Sequence, residues 1–134
     1  MPDLIEFEVD GQPPLKGEAL SLMNAKHKQL NRVVALLSAV QRLKSSNSNN
    51  GFGSHLIRLE VEVRCTTLPP KGDATNYLGG IGDILQARKP QGSDHLGELA
   101  GLSLFDDDRQ IVEIAYRATL SEADSYTVRL SRID

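Results

Sequence analysis

Two acidic stretches stand out as the reactive part of this chain: KGDATNYLGGIGDIL, with Asp73, Asn76 and Asp83, and FDDDRQIVEIAYRA, with Asp106, Asp107 and Asp108 in a row. Adjacent carboxylates repel one another, which raises their proton affinity unless a cation or a basic group lies near. Hard oxygen ligands suit Mg²⁺ or Mn²⁺, ions that keep several waters and are held by one or two carboxylates plus substrate phosphate. Held by Asp73 and Asp108, with Asp107 in support, such an ion would activate water and stabilise charge on a phosphodiester oxygen. Spacing alone leaves the plainer reading open, in which the three aspartates mark an exposed turn.

The elements around these residues must bring them together. Pro69, Pro70 and Gly72 predict a turn ahead of Asp73. Asp73 or Thr75 can cap the helix that follows, in which Tyr77, Leu78, Ile81, Ile84 and Leu85 recur at spacings of three and four. Asn76 and Asp83 share a face of that helix with Gly79 and Gly80. The three glycines 79, 80 and 82 each cost about 1 kcal/mol against alanine, so a close approach by another backbone, a second helix or a ligand is expected there.

The other elements follow from periodicity. Ile5, Phe7 and Val9 alternate with acids over Leu4 to Asp10, a strand ended by GQPPLKG. A helix is expected from about Glu18 to Lys44, with Lys26, Lys28 and Arg32 among the charges off its apolar stripe. Those charges are either a solvated face or a ridge that tracks phosphates. Ser45 to Ser54 reads as a mobile loop inside the domain. His55 to Cys65 alternates without a break and has a core side. After a polar segment, Ala87 to Leu104, in which Asp94 to Ala100 suits a short helix, Gln110 to Thr119 and Tyr126 to Ile133 read as two strands joined by a hairpin-length connection. The expectation is one α+β domain over 1–134, a mixed four-stranded sheet with two main helices in the order β-α-β-α-β-β.

Composition narrows the class. A chain of 134 residues has room for one core. With 4% aromatic residues and no Trp, stacking on bases is a poor binding mode, and a net charge of -3 argues against a general nucleic-acid coat while leaving room for a local basic face. One cysteine, Cys65, permits no internal disulfide and is expected in the core; without a membrane span or signal-peptide pattern, the expected compartment is the cytoplasm. His27 and His55 read as surface residues and Asp94-His95 with Glu98 as a solvent-facing loop, and no serine-hydrolase, P-loop or zinc-finger pattern is present.

The GDATN segment, the later Asp83 and Leu85 in its helix, and the FDDDRQIVEIAYRA strand resemble the RusA family of Holliday junction resolvases; GQPPLKG is similar to that family's proline-bearing turn. The resemblance implies a dimeric, magnesium-dependent endonuclease that cuts four-way DNA junctions symmetrically. By position it makes Asp73 and Asp108 metal ligands and catalytic residues, with Asp107 beside them and Asn76, Asp83, Asp106 and Thr75 in support. Salt-sensitive binding of branched DNA, if this chain binds it, is expected to run through Lys26, Lys28, Arg32, Lys71, Arg88 and Lys89. Two positions depart from the family pattern: Thr75 stands where the second aspartate is usual, and Gly79 where a lysine is usual. Asp106 or Asp83 is a candidate for the missing oxygen, and Arg88 or Lys89 for the missing charge. A RusA-like DNA-binding or assembly protein that no longer cuts is the alternative, and a phosphoesterase for smaller substrates is a third reading.

Overall fold

The alternation of Ile57, Leu59, Val61, Val63 and Cys65 with charged residues makes an inner strand of the sheet, buried at every second position. The fold is that of a computed structural model, which describes residues 3–16, 30–47, 51–87 and 94–134. Strands β1 (Leu4–Asp10), β2 (Ile57–Cys65), β3 (Ile111–Leu120) and β4 (Ser125–Arg132) form one sheet in the order β1-β4-β2-β3. The two α-helices are α1 (Leu30–Asn47) and α2 (Ala74–Leu85). β2 and β3 run parallel and are joined by α2, whereas β4 is antiparallel to both β1 and β2. The domain is therefore α+β with a mixed sheet, in the order β-α-β-α-β-β.

One face of this sheet carries the core. Val33, Leu36, Leu37 and Val40 of α1 are inaccessible to solvent, as are Ile81, Ile84 and Leu85 of α2 and Tyr126, Val128 and Leu130 of β4. The helix residues recur at spacings of three and four and the strand residues at two, so each element turns a single stripe inward. The opposite face is charged, with Arg58 paired to Glu60 and Glu113, and Arg64 to Glu62. Cys65 is a buried core residue, and burial pushes its thiol up.

Three expectations change. β3 and β4 do not form a hairpin, because β2 lies between them. Their connection passes over the end of β2: the Ser121 amide donates to the Cys65 carbonyl at 2.7 Å, and Asp124 Oδ1 accepts from the Thr66 amide at 3.1 Å. Four residues reach across two strand spacings, roughly 10 Å, and this arrangement gives β2 a partner on both edges. The second change is in α1, which runs to Asn47, beyond Lys44; the part expected from Glu18 lies outside the described residues.

The third change is in the loop that follows. Instead of hanging free, Phe52 is inaccessible and its amide donates to the Leu104 carbonyl at 2.8 Å. Gly51, at φ +85, lies so close to that carbonyl that no Cβ fits. In the segment after α2, a 3-10 turn spans Asp94–Gly101, broken at Gly97.

Candidate active site

Asp73 starts α2. It adopts an extended conformation (φ -85, ψ 162), and its Oδ1 accepts from the Asn76 amide at 2.9 Å and from Thr75 Oγ1 at 3.0 Å. Asn76 Nδ2 donates to the other carboxylate oxygen at 3.3 Å. Asp73, Thr75 and Asn76 are thus one capping unit, which satisfies donors that the first turn of a helix leaves open.

The glycines of α2 each meet a different neighbour. Pro14 and Leu15, from the turn after β1, cross the helix at Gly80, where a Cβ would run into the Pro14 carbonyl. At Gly79 the neighbour is the Lys16 side chain, and the Lys16 amide donates to the Asn76 carbonyl at 2.9 Å. Gly82 faces Asp108: a Cβ there would sit 3.7 Å from both the Asp108 Cβ and the Ile111 Cδ1. The expected close approach of a backbone is therefore that of the GQPPLKG turn.

This packing predicts opposite effects for two similar substitutions. Alanine in a helix interior normally gains about 1 kcal/mol over glycine. At Gly80 the clash with the Pro14 backbone, costing on the order of 1–3 kcal/mol, outweighs that gain. Gly80→Ala is expected to lower the urea midpoint and Gly82→Ala to raise it; a stabilised Gly80→Ala would contradict the contact.

Between α2 and β3 lies an open cavity of about 240 Å³. Leu59, Leu78, Ile111 and Ile114 form its apolar walls, Gly79 and Gly82 its helix side, and Thr75 and Asp108 its polar lining. Asp73 does not line the cavity itself, but Thr75, which donates to it, does. Asp108 abuts Gly82, nine residues from Asp73, so the two acids stand roughly 13 Å apart along the helix axis. Only Asp108 lines the cavity, and the two acids do not converge on one point.

Asp83, which follows Gly82 in α2, is near enough to Asp108 to feel its charge. Burial first, and then the Asp108 charge, raise its proton affinity, while Lys16 works the other way. The folded protein therefore holds this proton more tightly than the unfolded chain does, and ionised Asp83 is a stability cost. That cost is absent below the ordinary aspartate value of about 3.9 and grows as pH rises through the folded value. Asp83→Asn is expected to raise Tm at pH 7 and to give no gain at about pH 3; an equal gain at both pH values would contradict the burial.

The aspartate row is divided by its neighbours. Asp107 caps a short 3-10 turn, Asp108–Gln110, and binds Arg109 through its guanidinium at 3.0 Å and its amide at 2.9 Å. That partner holds the Asp107 carboxyl below the usual carboxylate range, so repulsion within the row is relieved by a basic group. Asp106 is exposed, and its amide is fixed by Gln110 Oε1 at 2.9 Å. Asp108 is exposed too, with its amide donating to Gln86 Oε1 at 3.1 Å. Gln110 itself is buried and was not singled out from the sequence, although Asp107-x-x-Gln110 spells a capping box.

Among the described residues, no three His, Cys, Asp or Glu side chains lie close enough to enclose a metal ion. The donors that are present, exposed Asp108 beside Asp83, fit an ion of the Mg²⁺ type, which is completed by water and phosphate and not by a closed protein cage. Of the proposed DNA contacts, Lys71 is exposed just ahead of Asp73, and Arg32 lies on α1 with its charge felt at Tyr77. Lys26, Lys28, Arg88 and Lys89 lie outside the described residues, as does His27. His55 meets Asp134 at 3.2 Å, and Glu98 accepts from Gln41 at 3.3 Å.

A larger concavity, about 450 Å³, lies on the charged face of the sheet between Glu6, Glu60, Glu62, Arg117 and Arg129. Glu6 is paired there with Arg129, and Glu62 with Arg64. At Asp83, by contrast, the Asp108 charge raises the proton affinity. No protein-family model matches the chain, and no curated protein is similar to it in sequence. Among the described residues, no helix is long and apolar enough to cross a membrane.

Proposed function

We propose that this chain is a RusA-like endonuclease that hydrolyses phosphodiester bonds in four-way DNA junctions with Mg²⁺ or Mn²⁺. The observation that carries the proposal is Asp108, exposed beside Asp83 and lining an open cavity at the glycine face of α2. The order of the acidic motifs along the chain supports it. Asp108 and Asp83 would hold the ion, whose chemistry is to polarise water and neutralise phosphate charge. Asp73 would act from the capping unit, through solvent. A water oxygen would bond to phosphorus as the bond from phosphorus to one sugar oxygen breaks; the proton of the water would pass by way of the exposed Asp108 to solvent, and the departing sugar oxygen would take a proton from solvent. Asp107, bound to Arg109, shapes the turn that presents Asp108.

Symmetric cutting needs two sites related by a twofold axis, so the reading includes a homodimer. Among the described residues β3 is an outer strand of the sheet, with Val112 and Ile114 52% and 55% exposed, an edge of the kind on which a second copy pairs. The second reading, a RusA-like protein that binds or assembles without cutting, is favoured by Thr75 and by the distance between Asp73 and Asp108. Metal-dependent nicking of a labelled junction separates the two, and a nucleotide phosphoester tested beside it covers the small-substrate reading. Activity confined to the nucleotide would replace the junction by a small ligand, and salt-sensitive binding without nicks would favour the second reading.

A further inference from the structure

We infer that Lys16 supplies the cation that holds a substrate phosphate at this site, an inference that rests on the endonuclease reading above. Three observations place it there. The Lys16 amide donates to the Asn76 carbonyl at 2.9 Å, which ties the residue to the capping turn of α2. Its Cβ, Cγ and Cδ lie 3.4, 3.4 and 3.3 Å from where a Cβ at Gly79 would be, so the stem runs across the bare helix at a residue that lines the cavity. The segment before it is held as well: Pro14 and Leu15 pack on Gly80, and Leu15 also reaches Gly72.

A lysine laid out this way keeps its methylenes on protein and its ammonium in water, and Lys16 is exposed. The charge of Lys16 is felt at Asp83. A phosphodiester entering the cavity beside Asp108 brings another negative charge to an acidic site. A compact, mobile ammonium is suited to meet a non-bridging oxygen there. Arg109, also close by, is tied to Asp107 through its amide, Nε and terminal nitrogen. The glycine at position 79 then has a purpose that helix propensity does not give it: it is the bed for this stem.

The test uses Lys16→Met, which keeps the stem and removes the charge, and Lys16→Arg, which keeps the charge. Cleavage of a labelled four-way junction is measured at saturating Mg²⁺, and binding of the same junction is measured in EDTA across a salt series. Lys16→Met is expected to lower kcat on the order of a hundredfold with Tm unmoved, and to reduce the slope of log K against log salt by about one. Lys16→Arg restores most of both. Wild-type kcat and an unchanged salt slope in Lys16→Met would overturn the inference. If the wild-type protein binds the junction and never cuts it, the endonuclease reading fails and the salt slope alone decides whether Lys16 meets a phosphate. No binding at all sinks both.

Discussion

Replacing Gln110 with alanine is expected to cost about 3 kcal/mol of folding stability and to loosen the turn that presents Asp108. Only 8% of Gln110 is exposed, and its amide is fully used. Nε2 donates to the carbonyls of Gly53 and His55 at 2.7 and 2.8 Å, and Oε1 accepts from the amides of Asp106 and Asp107 at 2.9 and 2.6 Å. One side chain thus clamps the Phe52–His55 segment to the acidic turn. Each buried partner left open costs about 1–3 kcal/mol, and some of the four regain water, which sets the estimate well below the sum. Urea unfolding reads the loss directly, and metal-dependent cleavage should fall with it. An unchanged midpoint would mean that the turn is held by something else.

Asp108→Asn is expected to do the opposite: it leaves the fold intact and removes activity. Asp108 is exposed, and it raises the proton affinity of Asp83 by repulsion, so losing its charge changes stability by no more than about 0.5 kcal/mol. If it holds the ion, cleavage falls by about a hundredfold or more, since even partners one shell further out cost about 10- to 100-fold. Asp73→Asn is a milder companion, because asparagine caps a helix as well as aspartate does. Full cleavage by Asp108→Asn at unchanged Tm would remove Asp108 from the ligand set.

The strands and their inward faces were legible because β1, β2 and β4 alternate strictly between core and water, and α2 because its apolar residues keep a helical spacing. Sheet order was not. Four residues from Ser121 to Asp124 suit a tight hairpin or a step over β2, and only the unpaired edges of β2 decide between them. Phe52 was hidden by the serines, asparagines and glycines around it, although a lone aromatic in such a stretch has a strong reason to be buried.

The site was legible in part. The three glycines of α2 announced a close approach, and Asp73 announced a cap. Which backbone approached Gly80, and that Lys16 rather than a distant residue lay over Gly79, depends on how the proline-bearing turn folds back, and no periodicity records that. Asp73 and Asp108 were expected around one ion from their types. The rise of α2 places them at different levels along the helix, with Asp83 nearer Asp108. Asp107, read from the sequence as supporting the metal, spends its carboxylate on Arg109 and on the cap.

A labelled four-way junction incubated with the protein in Mg²⁺, in Mn²⁺ and in EDTA, beside a linear duplex of the same sequence, tests whether this chain is a junction endonuclease. Paired nicks at symmetric positions, in the junction only and only with metal, are the predicted result. Binding without nicks in either metal, or equal cutting of the linear duplex, would contradict it.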